Sequence, residues 1–241
     1  MKNKYLKRQI IEISFKNRLS HIGSCLTAVD IIDEIYKKKK PDEKFVLSAG
    51  HAHLAHLVVM NSLSEISVIE PTDIEHMEHI IKDYGIHCER KAGCDVSTGS
   101  LGQGLPIAVG MALADRTKNV YCLISDGELS EGSIWEALRI IKEQNIHNLG
   151  IVINANGYGA YKEIPLWIYG NAIEELGFIV DISKYVDLST EINYLTKKVK
   201  QEQVILLWLT DNEQLPFLTG QSAHYHVMSE EDYKQAMEIL K

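Results

Sequence analysis

The stretch from 120 to 156 constrains the fold more than any other part of the chain. It opens on VYCLIS, an unbroken apolar and β-branched run. It continues through SDGELSEGSIWEALRIIKEQN, where apolar residues recur at helical spacing, and closes on a second apolar run, LGIVINAN. A run without polar alternation is buried on both faces, as an interior strand of a parallel sheet is. Two such strands joined through one helix make a βαβ unit, and its strands are parallel. The expected class is α/β: a doubly wound, mostly parallel sheet with helices on both faces.

The rest of the chain extends this pattern. KFVLS at 44–48, GFIVDI and VILLWLT read as further strands. Helical spacing marks 5–17, 26–36, HAHLAHLVVMNSL, 71–84 and LPIAVGMALADR. Pro71 stands near the start of the fourth of these, with Asp73 available to cap it. Ser130 is placed to cap the helix of the central unit. Ser229, with Asp232 three residues on, resembles a capping box opening a last helix, SEEDYKQAMEILK. Residues 85–104, GIHCERKAGCDVSTGSLGQG, hold five of the sixteen glycines and few large apolar residues. A loop this long that leads straight into an apolar helix reads as functional. With 241 residues and 45% of them hydrophobic, one domain spanning 1–241 is expected.

The formal net charge of −8 argues against nucleic acid as a partner. The lysine run 37–40 reads as a solvated helix end. Cys25, Cys88, Cys94 and Cys122 form no CxxC pair and are expected to be free thiols in a reducing compartment. The charged N-terminus does not read as a signal peptide, and no apolar run is long enough to span a bilayer. The expectation is a cytoplasmic protein without a membrane partner. His76 and His79 form an HxxH pair on a polar helix with no third ligand in view, which makes zinc there a remote reading.

In an open parallel sheet, ligands bind beyond the carboxyl ends of the strands. Asp126 ends one strand of the βαβ unit; Asn154 and Asn156 end the next. A carboxylate and an amide oxygen one βαβ repeat apart are hard donors suited to Mg²⁺ or Ca²⁺. Gly127 lets backbone N–H groups approach an anion, and a helix N-terminus follows. Taken singly, Asp126-Gly127 and Asn156-Gly157 are also ordinary turn dipeptides.

These residues carry a family resemblance. SDGELSEGSIWEALRIIKEQNIHNLGIVINANGYGA resembles the thiamine diphosphate motif, Gly-Asp-Gly followed some thirty residues later by Asn. STGSLGQGLPIAVGMALAD resembles the Thr-Gly-x-Leu-Gly-Gln-Gly signature of transketolases. SHIGSCLTAVDIIDEIY and FVLSAGHAHLAH look like the Gly-His-x-Gly and Ser-x-Gly-His segments of the same family. The motifs run in family order from Ser20 to Tyr161, with a weaker match at HYHVMSEEDYKQA. The resemblance is to the N-terminal, diphosphate-binding domain and takes up the whole chain.

By position, the resemblance implies that Asp126, Asn156 and the Tyr158 carbonyl ligate the metal holding thiamine diphosphate. Gly127 would contact the diphosphate. His51 and His224 would lie near the diphosphate and the reaction centre, with His226 an alternative to His224. His21 and His87 would line the substrate channel. Gly99 and Leu101 would pack beside the aminopyrimidine. Glu131 and Glu136 would link two active sites across a subunit interface. Read alone, His21 is a surface N-cap residue, His51 opens a helix, and both glutamates are solvated. Four departures from the family pattern stand out: Ser125 before Asp126, Ala49 before Gly50, Ser100 where Pro is common, and one extra residue in GIHCE. The domain that would carry the family's catalytic glutamate and sugar-phosphate arginines is not in this chain. The resemblance therefore implies one subunit of a split transketolase, two copies of each chain, moving a two-carbon ketol unit from a ketose to an aldehyde. Another thiamine diphosphate reaction, such as 2-oxo acid decarboxylation or acyloin formation, and a non-catalytic cofactor-holding module are the alternatives.

Overall fold

The computed structural model describes residues 3–66, 74–159, 162–183, 187–199, 201–210 and 215–241. Their elements run α1 (Lys4–Lys16), α2 (Ile22–Lys38), β1 (Lys44–Leu47), α3 (His53–Ile66), α4 (Ile74–Tyr84), α5 (Gly104–Ala114), β2 (Val120–Ser125) and α6 (Gly132–Glu143). Then follow β3 (Leu149–Ala155), α7 (Leu166–Glu175), β4 (Ile179–Ser183), α8 (Leu188–Lys198), β5 (Val204–Leu209) and α9 (Glu230–Ile239). The strands form one sheet in the order β1-β2-β3-β5-β4, and every pairing is parallel.

Strand periodicity divides the core into two layers. On β2, Tyr121 and Leu123 face a layer built with α1 to α4, α8 and α9. Val120, Cys122 and Ile124 face the other, built with α5 to α7. Both faces of β2 are therefore covered, which is why VYCLIS carries no polar alternation. The doubly wound reading is borne out.

The observed ends refine several expectations. The fourth helix begins at Ile74; Pro71 and Asp73 lie outside the described residues. Ser130 does not cap α6. Residues Asp126–Ser130 make a 3₁₀ turn, so the N-cap position falls on Glu131. That turn also sets the α6 N-terminus back from Gly127. The strand expected from Gly177 begins at Ile179, because Gly177, at φ 85°, closes the end of α7. α7 and α8 are helices that the hydrophobic pattern of 166–198 does not announce. Ser229 and Asp232 do form a capping box on α9.

One buried side chain joins the base of the sheet to the helix layer. Asn148, just before β3, donates through Nδ2 to the carbonyls of Ala112, Asp115 and Lys118, at 3.0, 3.1 and 2.8 Å. It is almost fully buried. Replacing it removes the amide that these three carbonyls share; the Asp115 carbonyl keeps the Lys118 N–H at 3.4 Å. Asn148→Ala is expected to cost about 1–3 kcal/mol, read as a lower urea midpoint at unchanged m-value.

Candidate functional site

Three consecutive strands end side by side, and each delivers polar groups to one edge of the sheet. β1 runs into Ser48 and His51, β2 into Asp126, and β3 into Asn156. The long loop after α4 folds over these ends. Its approach depends on two glycines. A Cβ on Gly50 would stand 2.7 Å from the Gly99 nitrogen, and one on Gly99, at φ 143°, would stand 2.9 Å from the His87 ring. Neither position accommodates a side chain.

The junction is fixed by a carboxylate to which sequence motifs assign no role. Glu128 is 0% exposed. Its Oε1 accepts from Ser48 Oγ at 2.5 Å and from the Gly102 N–H at 2.9 Å. Its Oε2 accepts from the Ser125 N–H at 2.9 Å and from Ser125 Oγ at 3.3 Å. One side chain thus binds the end of β1, the glycine loop and the end of β2. Burial raises its pKa, and the Ser48, Ser125 and Gly102 donors oppose the rise.

Asp126 is 1% exposed. Oδ1 accepts from Gly127 N–H at 2.9 Å and Oδ2 from Gly157 N–H at 2.6 Å. Burial pushes its pKa up to about 7 in spite of these donors, and among the described residues no cation offsets the charge. Asn156 Oδ1 accepts from the Tyr158 N–H at 2.9 Å, which turns the chain after β3 back toward Asp126. Asn154 is spent elsewhere: its amide donates to Thr27 Oγ1 and its oxygen accepts from Thr210, both at 2.9 Å. A Cβ on Gly127 would meet nothing nearer than the Gly159 Cα at 3.6 Å, so the backbone here leaves an open cradle.

Asp126, Gly127, Asn156 and Tyr158 line the same cleft as Gly99, Leu101, His21, His51, His87 and His224. Three imidazoles cluster on its wall. Ring centroids are 4.7 Å apart for His21 and His224, 5.5 Å for His21 and His51, and 5.9 Å for His51 and His224. His21 sits in the left-handed region, at φ 62°, with its N–H donating to the His224 carbonyl at 3.1 Å. Its Nδ1 pairs with Ser20 Oγ at 2.7 Å. Burial, and next the neighbouring imidazoles, lower the pKa of His21 to about 4 and of His51 to about 3. Burial lowers that of His224 as well. The cluster is neutral at pH 7 and offers hydrogen-bond donors and acceptors rather than positive charge.

Other candidates lie apart. His226 packs at a tilt against Phe217, ring centroids 5.3 Å apart, and pairs with Asp232 at 3.1 Å, outside the cleft. Glu131 lines a recess next to the cleft, with Leu101, Gly127 and Gly159. Glu136 is exposed on α6. His76 and His79 are exposed, the latter 4.0 Å from Glu75. Tyr225, which packs 4.7 Å from His224, joins the cleft wall although no motif points to it; its place in AHYH beside His224 is the available signal.

Comparison with known proteins follows the same lines. The family model described as transketolase, thiamine diphosphate binding domain, matches residues 16–164. Human transketolase is 34% identical over 178 residues, which are 66% of this chain and 28% of that one. A protein of Phocaeicola vulgatus named as a subunit of apulose-4-phosphate transketolase is 29% identical over 164 residues, 62% of this chain and 58% of that protein. Transketolase from Campylobacter jejuni superposes with a TM-score of 0.77 at 23% identity, over 98% of this chain and 41% of that one. The chain thus spans little more than a quarter of the human relative's length.

Two measurements probe the site's energetics. Glu128→Gln puts an amide N–H₂ in place of an oxygen that accepts from two of the four donor groups; a stability loss of about 1.5–3 kcal/mol is expected, with faster amide hydrogen exchange in 97–104. For the histidines, a folded pKa below the unfolded 6.5 means that the unfolded chain binds more protons between about pH 6.5 and 4. Their contribution to stability therefore falls as pH falls through that window. Asp126 and Glu128, with raised values, act in the opposite sense. Urea unfolding at pH 7 and pH 5 is expected to show a smaller change favouring pH 7 in His21→Asn than in the wild type, since Asn tolerates the left-handed backbone.

Proposed function

The chain belongs to the transketolase family through its thiamine diphosphate-binding domain, and we propose that it is the cofactor-anchoring subunit of a two-chain transketolase. The observation that carries this reading is Asp126: a buried carboxylate with no cation beside it among the described residues, in one cleft with Asn156 and the open cradle at Gly127. Burying such a charge is costly unless a cation completes it. The donors are all hard oxygens, so Mg²⁺ (or Ca²⁺) with a diphosphate fits the chemistry of the site.

In this reading Asp126, the Asn156 side chain and the Tyr158 carbonyl hold the metal, and Gly127 takes the diphosphate through its backbone. When bound, thiamine diphosphate supplies the carbon nucleophile for breaking and remaking a ketose C–C bond. The chain's own residues bind, orient and exclude water. Gly99 and Leu101 form an apolar wall. His51 and His224, neutral at pH 7, pass or hold a proton near the reacting end. His21 and His87 orient hydroxyls of a sugar or sugar derivative. Glu131 and Glu136 face a second copy of the assembly.

A partner is part of the proposal. A cleft of about 190 Å³ falls short of the roughly 300–1,000 Å³ of pockets that enclose a small molecule, and a second chain would complete it. The partner would carry the pyrimidine-binding and C-terminal domains. The name of the Phocaeicola relative, which makes it one subunit among others of its enzyme, accords with this. Trp167, 71% exposed on α7, with Ile168 beside it and Ile179 and Ile182 on edge strand β4, offers apolar surface for docking. Two copies of each chain, a single domain over 1–241 and a cytoplasmic setting, where four buried thiols stay reduced, complete the picture.

Purification from native lysate with thiamine diphosphate and Mg²⁺ is expected to bring down a stoichiometric partner and ketol transfer from a ketose to an aldehyde. Asp126→Ala should lower cofactor affinity at least about 100-fold while leaving the chain folded by circular dichroism. A lone chain that binds no cofactor would overturn the reading. Release of CO₂ from a 2-oxo acid without ketol transfer would replace it with a decarboxylase.

A further inference from the structure

Behind the cleft wall the structure gathers four metal-ligating side chains that none of these roles uses. His53 and His56 lie at i and i+3 in the first turn of α3, and Cys88 and Cys94 come from the long loop that folds over the strand ends. All four are more than nine-tenths buried. Cys94 Sγ lies 3.4 Å from His53 Nε2 and 3.6 Å from His56 Nδ1. Cys88 Sγ lies 3.9 Å from the same His56 nitrogen. The ligating atoms of His53, Cys88 and Cys94 all fall within 4.8 Å of one another; His56 reaches both sulfurs but not His53 within that distance, the two ring centroids standing 6.3 Å apart, so a four-ligand site needs the two imidazoles to draw together around the ion. A tetrahedral zinc ion, with Zn–S of about 2.3 Å and Zn–N of about 2.0–2.1 Å, sets N···S edges of about 3.5 Å. The three measured N···S separations lie within a few tenths of an ångström of that edge.

The surroundings agree. His56 Nε2 is 2.6 Å from the Tyr36 hydroxyl, so Nδ1 is the nitrogen left to face the thiols. Phe45 closes over the ring, centroids 5.2 Å apart. His53 presents Nε2 to Cys94, and its Nδ1 has no hydrogen-bond partner among the described residues.

We propose that His53, His56, Cys88 and Cys94 form a buried Cys₂His₂ site for a tetrahedral divalent metal of the zinc class. Two sulfurs and two imidazoles select such an ion over Mg²⁺, which prefers oxygen. As each S–Zn bond forms, the thiol gives its proton to solvent. The site is structural, since four protein ligands leave no open position for substrate. It ties the loop to α3 from behind. Cys88 adjoins His87, and its carbonyl accepts from the Thr98 N–H at 3.0 Å. His53 stands two residues after His51. The metal would hold both walls of the cleft without touching its contents.

The full untagged chain, produced in zinc-supplemented medium, is expected to contain about one zinc per chain by elemental analysis. After chelation under reductant, Co²⁺ should titrate to the same stoichiometry, with the visible bands of tetrahedral Co²⁺ and a thiolate charge-transfer band. Co²⁺ on the oxygen donors of Asp126 and Asn156 gives no such charge-transfer band, so the two sites are told apart. Cys88→Ser and Cys94→Ser should each lose the signal; Cys122→Ser, a buried thiol in β2 outside the cluster, should keep it. Absence of both stoichiometric zinc and the cobalt spectrum in the wild type overturns the proposal, whatever the variants do. So does a freshly purified chain two hydrogens lighter through a Cys88–Cys94 disulfide.

Discussion

The Glu128 carboxylate is the interaction on which the site's geometry rests. A parallel sheet aligns its strand ends in register but does not fix the loops beyond them. In this protein one buried side chain accepts from Ser48, Gly102 and Ser125, which lie just past β1, in the glycine loop and at the end of β2. Once these are fixed, the positions of His51, Gly99 and Asp126 follow within a few bonds. The arrangement is all-or-none in energetic terms: each donor is satisfied only while the carboxylate stays buried, and the carboxylate stays buried only while its donors hold. A site built this way has little freedom to drift, as the positioning of reacting groups demands.

What is legible in the sequence follows from how far each interaction reaches. The strands of the central unit are readable because burial on both faces leaves a mark at every position of VYCLIS. The Asp126 and Asn156 pair is readable because parallel strands make chain distance a guide to spatial distance. Ser130 reads as a cap and is not one, because a 3₁₀ turn intervenes and a hydroxyl near a helix start does not reveal which turn it belongs to. α7 exposes Trp167 and Ile168 on its outer face, which blurs the apolar stripe that marks a helix. Glu128 is hidden for a different reason. Read locally, it is one more glutamate in SDGELSE, and its burial is decided by Ser48, eighty residues earlier. The spacing of the cysteines within their loop is equally silent, because their neighbours, His53 and His56, come from another element.

The electrostatics of the cleft argue in one direction. Burial pushes Asp126 toward its neutral form and the histidines toward theirs, so the chain alone presents an interior that resists charge. A resting pocket of this kind binds a charged group poorly unless opposite charges arrive together. A divalent cation with a diphosphate, as proposed, would meet that condition: a cation beside Asp126 would oppose the shift that burial causes, and an anion could draw on backbone N–H groups. The imidazoles, left neutral, then suit hydroxyl groups better than carboxylates, because a neutral ring can both donate to and accept from an alcohol but adds no countercharge for an acid. In the proposed reading, a preference for a polyhydroxylated substrate over a 2-oxo acid would rest on the same desolvation that calls for a cation beside Asp126.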